Sequence, residues 1–305
     1  MYMQTTSKVL MVRPVRFGFN EQTAENNSFQ KRGYELSAQD MALAEFDKFV
    51  SLLESNGVEV IVVEDTPEPH TPDSIFPNNW FSTHATGELI LYPMCAPNRR
   101  LERKEGVLKM IKEVGERGKM KKIIDLTHFE KENLYLEGTG SLIFDRKNKL
   151  VFACRSPRCD IAVLEELCEK LDYEFLDFGA FDRDGMPVYH TNVMMCVGEK
   201  FVVVCLDSIK NIDERTELIS FIEDCDKELI EISIEQMEQF AGNMLQLKNK
   251  EGDPLLIMSA TAKRALSSEQ LERLSSYCKI LAPELESIEI NGGGSARCML
   301  AEIFF

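Results

Sequence analysis

The chain has 305 residues and a formal net charge of −16. A nucleic-acid backbone and an anionic membrane are both strongly negative, so we expect a small molecule as the partner instead. Nine cysteines without paired spacing and the absence of an N-terminal signal peptide predict free thiols in a reducing, cytoplasmic setting. The apolar runs are too short to span a bilayer.

The first predicted elements are a strand at residues 8–12, a helix at 37–53 and a strand at 58–63. The helix is well marked, since Ser37 can cap its first turn and Asp40 lies in that turn, where negative charge is favoured. This segment therefore supplies one strand-helix-strand unit.

Further along the chain a short pattern recurs: a polar residue and an apolar pair at the start of a β-hairpin, followed by a helix and a strand. The copies are Asn79-Trp80-Phe81, the looser Gly140-Ser141-Leu142, Asn192-Val193-Met194, Asn243-Met244-Leu245 and Cys298-Met299-Leu300. Recurrence at similar intervals is typical of stacked or radially arranged supersecondary units. The predicted helices of the four complete copies are at residues 101–116, 161–171, 213–224 and 268–277.

The copy at Cys298 has one strand only, and the N-terminal segment offers the strands and the helix that it lacks. We therefore predict a single α/β domain over residues 1–305, with five such units closed in a ring by the N- and C-terminal segments. The residues just before the first strands would then converge at one end of the axis. Polar loops predicted at 17–32 and 66–72 would cover that end. Asn and Gly also suit turns, and this alternative stays open for any single copy.

Three residues of this zone have the side chains that nucleophilic catalysis needs. Cys298 follows a glycine-rich loop, and Arg297 beside it could favour the thiolate. His190 can exchange protons near neutral pH, and Glu137 is a carboxylate whose desolvation predicts a raised pKa. The ordinary alternatives are a buried core cysteine and a glutamate that faces water in a turn.

At these residues the chain resembles the guanidino-group modifying superfamily, the pentein fold of arginine deiminases, dimethylargininases and amidinotransferases. The motifs that carry the resemblance are Pro-Asp-Ser-Ile-Phe at 72–76, Leu-Glu-Gly at 136–138, Ser-Pro-Arg at 156–158, His-Thr-Asn at 190–192 and Gly-Gly-Gly-Ser-Ala-Arg-Cys-Met at 292–299. The resemblance implies a five-fold pseudosymmetric α/β-propeller of strand-strand-helix-strand units, with a covalent adduct on Cys298.

The resemblance also implies roles for individual residues. His190 would exchange protons with the leaving group and with water, Glu137 would hold the reacting nitrogens, and Arg158 matches a position that can bind a substrate carboxylate. Arg99 and Arg100 compete with Arg158 for that last role. The expected substrate-binding residues are Asp73, Asn79, Arg158, Asn192, Asn243 and Arg297.

Two departures from the family pattern point to a particular substrate. Asn79 and Asn192 stand where the deiminases have aspartates. A guanidinium group has only donors and suits carboxylates, whereas a neutral ureido group has a carbonyl acceptor beside its donors and suits amides. The segment Phe-Pro-Asn-Asn-Trp at 76–80 is similar to one in the citrulline-utilisation hydrolases.

We therefore predict a cysteine-dependent hydrolase of a small amino acid, converting citrulline to ornithine, carbon dioxide and ammonia without a cofactor or a metal. An arginine deiminase or dihydrolase and an amidinotransferase remain as alternatives within the family. A noncatalytic propeller that binds a macromolecule is an alternative of another class. The sequence leaves the oligomeric state open, with a homodimer among the options.

Overall fold

The computed structural model describes residues 3–25, 27, 29–33, 38–117 and 120–305. Within these residues, fifteen strands form five three-stranded sheets. The strands are β1 (Lys8–Arg13), β2 (Glu59–Glu64), β3 (Phe81–Thr83), β4 (Glu88–Leu91), β5 (Lys122–Asp125), β6 (Ile143–Asp145), β7 (Leu150–Cys154), β8 (Glu174–Phe178), β9 (Met195–Val197), β10 (Phe201–Val204), β11 (Glu228–Glu231), β12 (Leu245–Lys248), β13 (Pro254–Ile257), β14 (Lys279–Leu281) and β15 (Ala301–Glu302).

The α-helices are α1 (Glu21–Ala24), α2 (Ala38–Ser55), α3 (Pro97–Arg100), α4 (Glu105–Arg117), α5 (Gly138–Ser141), α6 (Ile161–Leu171), α7 (Thr191–Met194), α8 (Ile212–Asp224), α9 (Ile234–Met237), α10 (Ala260–Ala265), α11 (Ser268–Tyr277) and α12 (Glu286–Gly292). Short 3₁₀ turns occupy Pro77–Asn79, Thr127–Glu132, Leu206–Ser208 and Ala296–Met299. Among the described residues, none of the helices has the length and apolar character needed to cross a bilayer.

The pairing within each sheet follows one scheme. In the sheet of β3, β4 and β5, the middle strand is antiparallel to β3 and parallel to β5. A hairpin accounts for the antiparallel pair, and the parallel pair requires a crossover, which α4 supplies. In the three following sheets the crossovers contain α6, α8 and α11. The predicted strand-strand-helix-strand unit and the mixed α/β class are therefore confirmed.

The fifth sheet joins the two ends of the chain. Its middle strand, β1, is antiparallel to β15, with Leu10 opposite Ala301, and parallel to β2, with Leu10 opposite Ile61. The crossover between β1 and β2 contains α2. The prediction that the N-terminal segment completes the last unit is confirmed.

Two predicted helices differ by two residues or more at one end from the observed ones. Helix α2 covers Ala38–Ser55 with Asp40 in its first turn, while the predicted cap, Ser37, lies outside the described residues. The helix predicted at 101–116 begins later, at Glu105, because the segment before it forms the separate turn α3 with a proline at its start.

Single helical turns precede the first strands of four sheets, a feature that the sequence analysis missed. The turns are Pro77–Asn79, α5, α7 and Ala296–Met299. As a result, the strand predicted to begin at Val193 begins at Met195. The turn at Pro77–Asn79 contacts both α5 and the turn at Ala296–Met299, and α5 contacts α7. The segments that carry the candidate residues therefore converge, as predicted.

The first strands of several sheets lie side by side. β9 contacts both β6 and β12, and β3 contacts β15. Every residue of the middle strands β7 and β10 is buried. Helices cover one face of these sheets, and strands of neighbouring sheets lie on the other side. The closed five-bladed propeller and the single domain over residues 1–305 remain predictions, which these contacts support.

Candidate active site

Cys298 lies in the turn Ala296–Met299 and is buried. Two amide nitrogens face its sulfur, Asn243 Nδ2 at 3.2 Å and Asn192 Nδ2 at 3.4 Å. The orientation of the Asn243 amide is fixed, because its Oδ1 accepts the backbone N–H of Arg297 and its Nδ2 also donates to the Asn192 carbonyl. An N–H of Asn243 therefore points at the sulfur, where it can stabilise negative charge.

Glu137 is fully buried at the start of α5 and has three partners. Its Oε2 lies 2.8 Å from His190 Nε2 and 3.5 Å from Arg158 Nη1, and its Oε1 accepts the backbone N–H of Cys95. Burial alone would raise the pKa of Glu137, but Arg158 and His190 outweigh burial and lower the pKa to about 2. The expectation of a raised pKa is wrong, because it considered desolvation and not the partners.

Burial lowers the pKa of His190 to about 4, even though the hydrogen bond to Glu137 opposes that shift. The imidazole is therefore neutral at neutral pH. Since the ionised Glu137 can only accept, Nε2 carries the imidazole proton and Nδ1 is the acceptor. A Cβ atom on Gly140 would lie 2.8 Å from His190 Nδ1, so a glycine at this position lets the imidazole approach α5.

Asn79 lies against the same glycine. Its Oδ1 accepts a 2.7 Å hydrogen bond from Arg99 Nη1, and a Cβ atom on Gly140 would lie 2.3 Å from its Nδ2. Arg99 is itself buried and donates from two nitrogens to Glu102. Burial raises the pKa of Glu102 to about 7, although Arg99 opposes that shift.

Unpartnered buried polar atoms are concentrated at the pre-strand turns. Over the described part of the chain, the buried side-chain atoms without a hydrogen-bond partner are Asp73 Oδ1, Asn78 Oδ1 and Nδ2, Asn79 Nδ2, Asn192 Oδ1 and Ser287 Oγ. Buried polar groups in proteins are normally hydrogen-bonded. Four of these six atoms belong to Asn78, Asn79 and Asn192, in turns that converge, and a polar ligand could satisfy such donors and acceptors.

The N-terminal segment lies over this site. The carbonyl of Thr23 accepts a hydrogen bond from Arg158 Nη2 at 3.0 Å, and Asn20 Nδ2 donates to Asp73 Oδ2 at 2.7 Å. The described part of the loop predicted at residues 17–32 therefore covers the site, as Asn20 and Thr23 show, although it also contains the short helix α1. Burial raises the pKa of Asp73, with Arg99 opposing.

Arg297 is placed differently from the other candidates. Its guanidinium donates to Glu302 at 3.2 Å and to the Leu300 carbonyl, and Arg146 lies 3.6 Å from the same carboxylate. These contacts do not favour the predicted role of the Arg297 side chain in substrate binding. Its backbone N–H, which binds Asn243 Oδ1, does belong to the site.

The candidates thus form two adjacent groups, and their functional roles remain predictions. The group around the sulfur contains Cys298, Asn192 and Asn243, and the group around the imidazole contains His190, Glu137 and Arg158. The sequence analysis missed Asn78, Glu102 and the contribution of the Cys95 backbone. Arg99 and Glu102 are three residues apart, a spacing that brings side chains together on a helical turn, so the sequence contained a signal for this ion pair.

Comparisons with known proteins concern most of the chain. Residues 13–305 match a family model described as N,N dimethylarginine dimethylhydrolase, eukaryotic. None of the curated protein sequences matches. Among solved structures, the substrate-bound N-terminal domain of ArgZ, an arginine dihydrolase from the ornithine-ammonia cycle in cyanobacteria, is 17% identical with a TM-score of 0.75 over 97% of both chains.

Two further structures share the fold. A variant of the same ArgZ domain, covalently bound to a reaction intermediate, is 17% identical with a TM-score of 0.74, over 97% of both chains. A citrulline complex of DDAH from Pseudomonas aeruginosa is 15% identical with a TM-score of 0.66, over 99% of this chain and 100% of that one. Complete ArgZ is longer, and the chain covers 40% of it.

Proposed function

We propose that this chain, which belongs to the N,N-dimethylarginine dimethylhydrolase family of the pentein superfamily, is a cysteine-dependent hydrolase whose substrate is citrulline. The family acts on carbon–nitrogen bonds other than peptide bonds, so the protein is an enzyme and not a noncatalytic binding module. The products would be ornithine, carbon dioxide and ammonia.

The observation that carries this proposal is the hydrogen-bonding polarity of two amides. Asn79 Nδ2 is an unpartnered donor, and Asn192 Oδ1 is an unpartnered acceptor. A ureido group has a carbonyl for the first and an NH₂ for the second. A guanidinium group has only N–H donors, so it would place one of them against the Asn79 donor and leave both groups unsatisfied.

The charged residues support the same substrate. The carboxylate of Glu137 already has His190, Arg158 and a backbone N–H as partners. A cationic guanidinium would have to compete with these partners, whereas a neutral ureido group would not. The unpartnered Asp73 Oδ1 suits an α-ammonium group, and Arg158 suits an α-carboxylate.

The neutral His190 is suited to begin the reaction as a base. Its Nδ1 takes the thiol proton of Cys298, and the sulfur attacks the ureido carbon. The imidazolium that forms is stabilised by Glu137 and gives its proton to the ornithine nitrogen as the carbon–nitrogen bond breaks. Ornithine leaves, and an S-carbamoyl group remains on Cys298.

Water completes the reaction. His190, neutral again, removes a proton from a water molecule, and the resulting hydroxide attacks the carbamoyl carbon. The carbon–sulfur bond breaks, and the proton on His190 returns to the sulfur. The carbamic acid that is released decomposes to carbon dioxide and ammonia, so citrulline and one water give ornithine and these two products.

An arginine dihydrolase is the second candidate, favoured by one observation. Asn192 Oδ1 could accept an N–H of either substrate, and the structurally similar ArgZ is named an arginine dihydrolase. Such an enzyme would convert arginine and two waters to ornithine, carbon dioxide and two molecules of ammonia. An arginine deiminase would stop at citrulline, and an amidinotransferase would need an amine acceptor.

Product analysis tests these assignments. The purified protein is incubated separately with citrulline, arginine and dimethylarginine, and with arginine plus glycine, and the products are identified by mass spectrometry. Cys298→Ala is the control for each reaction. We expect ornithine from citrulline and no product from arginine or dimethylarginine. Ornithine from arginine would make the enzyme a dihydrolase, while citrulline from arginine or dimethylarginine, without further conversion, would overturn the proposal.

A further inference from the structure

We propose that Glu289 is a positioning residue that controls the reactivity of Cys298. It holds the hydroxyl of Ser295 and so prevents this serine from capping the turn that carries Cys298. The N–H of Arg297 then stays available to Asn243, whose amide faces the sulfur. The inference rests on the function proposed above only in taking Cys298 as the nucleophile.

The turn that carries the sulfur follows three consecutive glycines at 292–294, the first of which ends helix α12. Gly293 has a φ of 65°, in the left-handed region, and closes the helix by donating its N–H to the Glu289 carbonyl at 2.9 Å. Glycines have no side chains that could hold this segment in place. Ser295, which is fully buried, is therefore the first residue after the helix whose side chain can connect the turn to its surroundings.

The side chain of Ser295 is bound by Glu289. Its Oγ donates to Glu289 Oε1 at 2.5 Å, a separation typical of a hydroxyl on an ionised carboxylate. Glu289 is itself buried, and burial raises its pKa, while hydrogen bonds from Ser259, Ser295 and Thr261 oppose that shift by favouring the ionised form. The hydrogen bond fixes the serine oxygen on the side of helix α12.

A serine at the position of Ser295 normally caps the turn that follows it. Ser295 directly precedes the turn Ala296–Met299 and has the extended backbone of a cap residue, yet its side chain accepts no N–H of the turn. A capping hydroxyl accepts the N–H of the second or third residue of the turn, here Arg297 or Cys298. The N–H of Cys298 is bound by the Ser295 carbonyl at 3.0 Å. A released hydroxyl would therefore compete for the N–H of Arg297.

The N–H of Arg297 has another use in the site. It donates to Asn243 Oδ1 at 3.0 Å, which leaves Asn243 Nδ2 facing the sulfur of Cys298 at 3.2 Å. If Ser295 took this N–H, the amide of Asn243 would lose one of the two backbone partners that set its orientation. The donor at the sulfur would then no longer be fixed, and the thiolate would be less stabilised. Glu289 therefore supports the thiolate without contacting it.

The test removes the carboxylate of Glu289 and measures the alkylation of Cys298 by iodoacetamide, with peptide mapping to follow this cysteine alone. Glu289→Met keeps a side chain of similar length. Glu45→Met is the matched control, because Glu45 also binds helix α12, through two backbone N–H groups of its first turn, at the end away from Ser295. Rates are measured from about pH 6 to about pH 10, where thiols titrate.

We expect the alkylation rate at neutral pH to fall about tenfold in Glu289→Met, the size of one lost donor to the thiolate, and the pH–rate profile to shift to higher pH. Glu45→Met should keep the wild-type rate, even where it lowers the melting temperature. Adding Ser295→Ala to Glu289→Met should restore most of the rate, because alanine cannot cap the turn. A serine that served only to tie the turn to helix α12 would give no such recovery. A wild-type rate in Glu289→Met, or no recovery in the double variant, would overturn the inference.

A second background tests the route through Asn243. In Asn243→Ala the amide at the sulfur is already absent, so adding Glu289→Met should slow alkylation no further. An additive loss in this background would show that Glu289 acts by another route and would overturn the inference.

Glu289→Gln keeps the test decisive if Glu289→Met does not fold. Its amide oxygen still accepts the serine hydroxyl, but a neutral acceptor binds about half as strongly as a carboxylate. Alkylation should therefore slow by about threefold, and Ser295→Ala should again reverse the loss. A wild-type rate, or a loss that Ser295→Ala leaves in place, would contradict the role of Glu289.

Alkylation requires no substrate, so these outcomes are separate from those of the proposed function. A protein that shows the expected alkylation rates and leaves citrulline intact would support this inference and contradict the proposed function alone.

Discussion

The two sides of the candidate site differ in charge. Around the sulfur of Cys298 the contacting side chains are neutral amides, those of Asn192 and Asn243. The imidazole of His190 instead contacts the carboxylate of Glu137, which is paired with Arg158. Proton transfer needs a group that stabilises a transient imidazolium. Discrimination between a neutral ureido group and a charged guanidinium group of similar shape needs hydrogen-bond donors and acceptors in fixed positions. The ionic side therefore suits the proton transfers, and the amide side suits recognition.

The largest expected effect comes from the ionic side. In Glu137→Gln the imidazolium loses its counter-charge, so kcat for citrulline should fall by about 10²- to 10⁴-fold with a smaller change in KM. Glu130→Gln, which removes a carboxylate paired with Arg103, is the control and should keep the wild-type kcat. If kcat of Glu137→Gln for citrulline stayed within a few-fold of the wild-type value, the carboxylate would not be needed for proton transfer.

A change of specificity is expected from the amide side. Asn79→Asp combined with Asn192→Asp replaces the amides by carboxylates, which suit a guanidinium. We expect kcat/KM for citrulline to fall about a hundredfold, with an increase in the activity on arginine relative to citrulline. Steady-state assays with both substrates check this result. Unaltered citrulline turnover in the double variant would refute our interpretation of the two amides.

A smaller effect is expected from Asn243, whose orientation is fixed by the backbone N–H of Arg297. Asn243→Ala removes the 3.2 Å contact to the sulfur. Alkylation of Cys298 by iodoacetamide at neutral pH should slow by about tenfold, because one donor to the developing thiolate is lost. Peptide mapping distinguishes Cys298 from the other cysteines. An equal or faster alkylation rate would contradict this contribution.

The smallest change is expected from mild acid. Burial lowers the pKa of His190 to about 4, so the base remains neutral and kcat/KM for citrulline should change little between pH 7 and 5 and fall below about pH 4. The same shift affects stability. Between the ordinary pKa of 6.5 and about 4 the unfolded chain binds a proton that the folded protein does not, so stability decreases as pH falls through this window. A kcat/KM profile with its acid limb near pH 6.5 would contradict a buried neutral imidazole.

The repeat made much of the fold predictable from the sequence. Alternation of apolar residues and hairpin turns identifies strands locally, and the incomplete copy at Cys298 pointed to the N-terminal strand that pairs with it. The single helical turns before the strands were not predictable, because three or four residues contain no measurable period. Asn192 and Asn243 were identified by their place in the repeat and lie at the sulfur.

What the sequence could not supply was the direction of the long charged side chains. Arg297 follows the glycine-rich loop, yet its guanidinium lies with Glu302, and Arg99 lies near Asn79 because Glu102 holds it there. Likewise, the pKa of Glu137 depends on Arg158, 21 residues further along the same unit, and on His190, which precedes the next unit. The contacts of Glu137 with Arg158 and His190 join residues distant in the sequence and have no local signal, and they decide the electrostatics of the site.

The most direct test of the account is the identity of the group that becomes attached to Cys298. Wild-type protein is mixed with citrulline or arginine, quenched in acid within one turnover, and the peptide that contains Cys298 is analysed by mass spectrometry. We predict a carbamoyl group on Cys298 with citrulline, and none in Cys298→Ala. An amidino group formed from arginine, with no adduct from citrulline, would contradict the account.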